Sequence, residues 1–77
     1  MPKAFILLNV DSGFEDVILK QLREISIVEE AYVSYGSYDL IIKIRDESMD
    51  ELKNTVTHKI RSIDHVRSTL TLMIMEE

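Results

Sequence analysis

Two serine–glutamate boxes, Ser12-Gly13-Phe14-Glu15 and Ser48-Met49-Asp50-Glu51, occupy equivalent places in the two halves of a 77-residue chain. In such a box the serine hydroxyl takes a backbone N–H of the first helical turn and the glutamate reaches back to the serine amide, so each string marks a helix start. Behind the first box, Phe14, Val17, Ile18, Leu22 and Ile25 fall at three-and-four spacing, with Glu15, Asp16, Lys20, Gln21, Arg23 and Glu24 off the stripe. The second box opens a matching stripe of Met49, Leu52, Val56, Ile60 and Ile63.

Extended segments fill the space around these helices. Ala4-Phe5-Ile6-Leu7-Leu8-Asn9-Val10 is almost unbroken in its hydrophobicity, which suits a strand at the centre of a sheet, covered on both faces. From Val28 to Tyr35, residues Ala31, Val33 and Tyr35 alternate against Tyr32 and Ser34. Gly36-Ser37 is read as a two-residue hairpin connection, the glycine supplying the positive φ at its first position. Asp39 to Arg45 follows as a strand with Leu40, Ile42 and Ile44 on one side and Ile41 and Lys43 on the other. In the last strand, His65 to Met75, the set Val66, Leu70, Leu72 and Ile74 is expected to face the helices, against Thr69, Thr71, Met73 and Met75.

The order strand, helix, strand, strand, helix, strand is two strand–helix–strand units joined by a hairpin. Right-handed crossovers turn it into an α+β, ferredoxin-like βαββαβ domain, a four-stranded antiparallel sheet with both helices on one face. The opposite face would then lie bare, yet Ile41, Met73, Met75 and half of the first strand are apolar there. A patch of that kind marks an interface, and the chain is expected to dimerise through the sheet about a twofold axis.

Composition limits what such a domain can do. Residues 1–77 form one domain, and a chain this short buries around 60% of its unfolded surface, so association would help its stability. With 45% hydrophobic and 30% charged residues, two glycines and one proline, the chain has the make-up of a folded protein. There is no cysteine, hence no disulfide, thiolate metal site or cysteine nucleophile. A formal net charge of −5 opposes phosphate binding, so direct contact with nucleic acid is not expected. The apolar run Ala4 to Leu8 is too short for a membrane span or a signal peptide, and the reading is of a soluble, cytoplasmic protein.

Enzymatic constellations are sparse. His58 and His65 have no adjoining serine or carboxylate arrangement and read as surface or helix-end histidines, and two histidines with scattered acids lack metal-ligand spacing. Gly13 and Gly36 are isolated, so there is no phosphate-cradling loop, and no motif implies a cofactor. Aromatic stacking platforms of the kind that read single-stranded RNA would sit on the central strands, where Phe5 stands alone. Glu29, Glu30, Glu76 and Glu77 read as solvated ends, and Met73 and Met75 as interface filler. Thr69 and Thr71 share the methionines' side of their strand. The hairpin Tyr35-Gly36-Ser37-Tyr38-Asp39-Leu40 is the most informative stretch: a zwitterion needs an anion for its ammonium and donors for its carboxylate, and a glycine turn beside Asp39 could offer both, against the plainer reading of a turn with an exposed acid.

Three stretches together, Phe5 to Val10, the hairpin with its G-x-Y-D string, and the T-x-T of Thr69-Leu70-Thr71, make the chain similar to the effector-binding domain of the Lrp/AsnC transcription regulators over its whole length. The resemblance implies a ferredoxin-like domain that dimerises through its sheet and assembles into octamers or larger rings, with a free amino acid bound between dimers near the hairpin. It implies close backbone approach at Gly36, a pocket lined by Ser37, Tyr38 and Asp39, with Asp39 toward the ligand's ammonium, and a border of Thr69 and Thr71. Family regulators usually begin with a helix-turn-helix, whereas this sequence starts at the first strand, so it resembles the stand-alone form and could act on full-length regulators by co-assembly. Where the family commonly has a glycine before the last strand, this sequence has Ile63-Asp64-His65-Val66, which bears on the local turn. The leading expectation is a non-enzymatic amino-acid-sensing and oligomerisation module. A small dimeric ferredoxin-like enzyme of monooxygenase or isomerase type and a purely structural assembly domain are the alternatives.

Overall fold

The computed structural model describes residues 2–74. Its elements run β1 (Lys3–Val10), α1 (Glu15–Arg23), β2 (Val28–Val33), β3 (Leu40–Arg45), α2 (Met49–Thr55) continued by a π-helical turn (Val56–Ile60), and β4 (Val66–Ile74). The strands form one sheet in the order β2-β3-β1-β4 with every neighbouring pair antiparallel, the ferredoxin-like arrangement expected. Alternation decides the faces: Ala4, Ile6, Leu8 and Val10 of β1, Ala31 of β2 and Leu40, Ile42 and Ile44 of β3 are buried together with Ile18 and Leu22 of α1 and Leu52, Val56 and Ile60 beyond. Both helices therefore cover the same side of the sheet.

The two helix starts differ. Ser48 caps α2 as its box predicts, its Oγ accepting the Glu51 N–H at 3.1 Å. At α1 the expected serine cap is replaced by a turn. Gly13 lies at φ +90, the Phe14 N–H donates to the Asp11 carbonyl at 3.1 Å, and the Glu15 carboxylate accepts the Gly13 N–H at 3.1 Å. The helix then starts at Glu15 with Phe14 as its N-cap residue. Val17 consequently falls on the flank of the stripe and is 52% exposed, while Leu19 packs partly against the core; Met49 likewise lies outside it. The π turn of α2, closed by the Arg61 N–H donating to the Val56 carbonyl at 3.0 Å, has no signature in the sequence.

β4 reverses an expectation. Its register sets Thr69, Thr71 and Met73 opposite Leu8, Ile6 and Ala4, and sets Leu70, Leu72 and Ile74 opposite Leu7, Phe5 and Lys3. Directly opposed residues share a face, so the threonines and Met73 lie on the helix side and the leucines on the other. Helical cover thins over this edge strand, where hydroxyls can stay near water; the branched side chains instead extend the apolar surface of the far face. Met75 lies outside the described residues, as do Glu76 and Glu77.

The uncovered face is therefore apolar, with β4 contributing a different set from the one expected. One row across it reads Tyr32, Ile41, Leu7 and Leu70; the next reads Glu30, Lys43, Phe5 and Leu72. Leu70 and Leu72 remain 42% and 47% exposed because none of the described residues covers them. Toward β2 the face is ionic: Lys43 Nζ stands 3.9 Å from both Glu29 and Glu30, and Arg45 Nε stands 3.1 Å from Glu29 Oε2. The Tyr32 hydroxyl donates to Glu30 Oε1 at 2.7 Å, and that bond, with the carboxylate's charge, raises the phenol above its ordinary value of 10.0. Since the neutral phenol is the favoured form in the fold, this contribution is complete below the ordinary value and fades as pH rises through the raised one. Glu30→Gln is expected to return the late-ionising tyrosine toward its ordinary value, read by ultraviolet difference absorbance.

Candidate functional site

The β2–β3 connection is longer than a two-residue turn. β2 ends at Val33, and the loop of residues 34–39 is closed by the Ser34 N–H donating to the Asp39 carbonyl at 2.8 Å. Gly36 supplies a positive φ, +123, as expected; a Cβ there would meet nothing within 4 Å, so the backbone angle and not the space calls for glycine. Asp39 ties the loop to the sheet with both its backbone and its side chain. Its N–H donates to the Leu8 carbonyl at 2.9 Å, and its Oδ2 accepts the Val10 N–H at 2.9 Å. The carboxylate thus extends the β3–β1 ladder by one bond, which fixes its position and orientation.

Beside it lies an open recess of about 290 Å³ lined by Glu15, Asp16, Val33, Ser34, Tyr35 and Asp39. Glu15 and Asp16 form the first turn of α1, where carboxylates suit the positive end of the helix. Three carboxylates and no cation line the recess, so it is suited to an ammonium group. Among the described residues no three potential ligands stand close enough together to hold a metal ion. Tyr35, 95% exposed, projects from the loop, while Tyr38 is half-buried. The sequence pointed to Asp39 but not to Glu15, which was read as part of a capping box, nor to Asp16, which was read as lying off the apolar stripe of α1.

The other candidate residues are distributed around this end. Gly36, Ser37 and Tyr38 shape the loop that carries Asp39. Thr69 lies across β1 from Leu40, two strand spacings or about 10 Å away, in a cleft with Arg61, Val66, Arg67 and Ser68. Thr71 lies farther along β4, against α2. Within one chain, then, the hairpin and the T-x-T string line separate recesses.

At the same end, His65 occupies φ +75, a conformation that favours glycine. Its ring compensates by stacking on Phe14, with centroids 3.6 Å apart and planes 11° off parallel, and its Nδ1 lies 3.1 Å from Asp11 Oδ2. Its carbonyl also accepts the Asp11 N–H at 2.9 Å, closing the gap between β1 and β4. Two opposing effects can be separated by substitution: His65→Ala loses the stack and keeps the strain, whereas His65→Gly loses both. The glycine variant is expected to be the more stable of the two by about 1 kcal/mol in denaturant unfolding.

The sheet order, the two helices on one face and the recess at the hairpin define a small ferredoxin-like domain whose loop end carries a cluster of carboxylates. A family model described as Lrp/AsnC ligand binding domain matches residues 3–77, and the chain belongs to that family. The regulatory protein AsnC of Escherichia coli K12 is 36% identical over 58 residues, 75% of this chain and 38% of the regulator. The HTH-type transcriptional regulator FL11 of Pyrococcus furiosus is 32% identical over 73 residues, 95% of this chain and 48% of that protein. The chain thus spans less than half the length of these curated relatives. The crystal structure of a hypothetical protein from Pyrococcus horikoshii superposes with a TM-score of 0.94 at 36% identity, covering 100% of this chain and 93% of the other. No helix among the described residues is long and apolar enough to cross a membrane.

Proposed function

We propose that the chain is a non-enzymatic, amino-acid-sensing and oligomerisation module that acts in transcriptional or metabolic regulation through assembly with itself or with full-length regulators. Its family membership and its regulator relatives support the regulatory setting. The observation that carries the ligand is Asp39, whose carboxylate is held by the Val10 amide beside Glu15, Asp16 and the glycine turn. An ammonium entering there meets negative charge from two elements. The recess offers no cation to a ligand carboxylate, so the chain supplies the ammonium half of the pocket. In this reading the pocket is completed where dimers meet, with the Gly36–Tyr38 loop approaching the ligand and the hydroxyls of Thr69 and Thr71 on its border.

The apolar sheet face supports the assembly half of the proposal. A second copy covers it in a twofold dimer, and dimers associate further into an octamer or larger ring. Calorimetric titration of the protein against each of the twenty amino acids tests the sensing claim. A saturable heat with at least one of them, coupled to a change in assembly size by light scattering, is the expected result; silence from all twenty at millimolar concentration contradicts it.

A further inference from the structure

We infer that the cleft between α2 and the edge strand β4 is a second ligand site, separate from the hairpin recess, that takes a small 2-oxo acid with a short apolar chain. This cleft of about 350 Å³ has a floor of Leu52, Val56 and Met73, and its polar groups are Lys53, Thr57, Arg61 and Thr71. Leu52 and Val56 are buried, so the floor is fixed by the core. Every polar side chain around it can donate a hydrogen bond, two of them as cations, and no carboxylate lines it. A ligand that matches must be rich in acceptors: a carboxylate for the guanidinium and ammonium, and a neighbouring carbonyl oxygen for the hydroxyls. An α-amino acid matches poorly, because its ammonium would face two cations with no anion to pair with.

Two further observations support the assignment. The backbone over the cleft is π-helical from Val56 to Ile60. Lys53, Thr57 and Arg61 follow one another at spacings of four, which keeps them on one side of the helix through that turn, and all three line the cleft. Single π turns also recur at functional sites. Moreover, Lys53 and Arg61, like Lys20, Arg23 and Lys59, form no ion pair among the described residues, so both cations of the cleft are available to a ligand carboxylate. Thr71 also stands on the border of the effector pocket proposed above, but the remaining residues of the two sites differ, and their ligand preferences are opposite.

The test is amide chemical-shift mapping on isotope-labelled protein with 4-methyl-2-oxopentanoate, leucine and 4-methylpentanoate as probes, three acids sharing one carbon skeleton. The 2-oxo acid is expected to shift residues 52–61 and 71–73 saturably, and leucine to bind there at least about tenfold more weakly because its ammonium is left unpaired. The acid without the oxo group is expected to fall between them. The double variant Lys53→Gln, Arg61→Gln changes exposed side chains only; it should lose about tenfold or more of the 2-oxo acid affinity while responses at residues 34–39 to an amino acid persist. Equal affinity for leucine and the 2-oxo acid, full affinity in the double variant, or shifts confined to residues 34–39 would each overturn the assignment. Only the last of these involves the hairpin recess, so this site and the amino-acid site stand or fall separately.

Discussion

Leu70→Asp is expected to leave the fold intact and to break the assembly into single chains. Leu70 lies in the apolar row with Leu7, Ile41 and Tyr32, on the face that neither helix covers. In the isolated chain it is 42% exposed, so an aspartate there remains in contact with water and costs the monomer little. Under a second copy it would be taken out of water without a partner, at a cost of several kcal/mol, and a twofold interface meets the change twice. The dissociation constant of the dimer should therefore rise by at least about a thousandfold. Sedimentation velocity alongside circular dichroism checks this: one chain mass with an unchanged helix and strand signal is the expected pair of results. An unaltered dimer would place the interface on another surface.

The second large effect concerns Asp39, where removing the charge and removing the acceptor have different consequences. In Asp39→Asn the side-chain oxygen can still accept the Val10 N–H, so stability should change little while the anion for the ligand's ammonium is gone. A charge-assisted hydrogen bond is worth about 1.5–3 kcal/mol, so amino-acid affinity should fall by roughly ten- to a hundredfold. Asp39→Ala also removes the acceptor and leaves the Val10 amide without its partner, which adds a stability loss of about 1–3 kcal/mol. Calorimetry for affinity and urea unfolding for stability separate the two roles. If both variants bind the amino acid as wild type does, Asp39 acts only as a clamp between the loop and β1.

These two positions also show how far the sequence could be read. The inward face of β3 was legible because Leu40, Ile42 and Ile44 alternate with Ile41 and Lys43, whereas the near-continuous hydrophobicity of β1 marked it only as a central strand and left the face of Ile6 and Leu8 to their register against Ile42 and Leu40. Gly36 was legible because a hairpin bend calls for a positive φ, and Asp39 because it completes the G-x-Y-D string at that bend. The orientation of β4 was not, since placing Leu70 and Leu72 inward and Thr69 and Thr71 outward is the natural reading of hydrophobicity. What reverses it is register against β1 and the thin helical cover over an edge strand, both tertiary effects. Glu15 and Asp16 were hidden by their other role, because acids in a first helical turn already have an electrostatic explanation. The loop of residues 34–39 depends on an Ser34–Asp39 bond that local turn preference does not encode, and the π turn left no mark in the stripe of α2.

A domain this small presents much apolar surface for a simple reason. Its core is confined to one side of the sheet, no described segment covers the other side, and the proposed association would shelter it. Ion pairs among Glu29, Glu30, Lys43 and Arg45 make the β2–β3 side of that face polar, while Phe5, Leu7, Leu70 and Leu72 make its β1–β4 side apolar.

Sedimentation equilibrium of the wild-type chain from micromolar to millimolar concentration tests this most directly. At least twice the chain mass is expected across that range, with the distribution of larger species moved by the amino acid that binds. A single chain mass at every concentration, with Leu70 and Leu72 left to solvent, would contradict it.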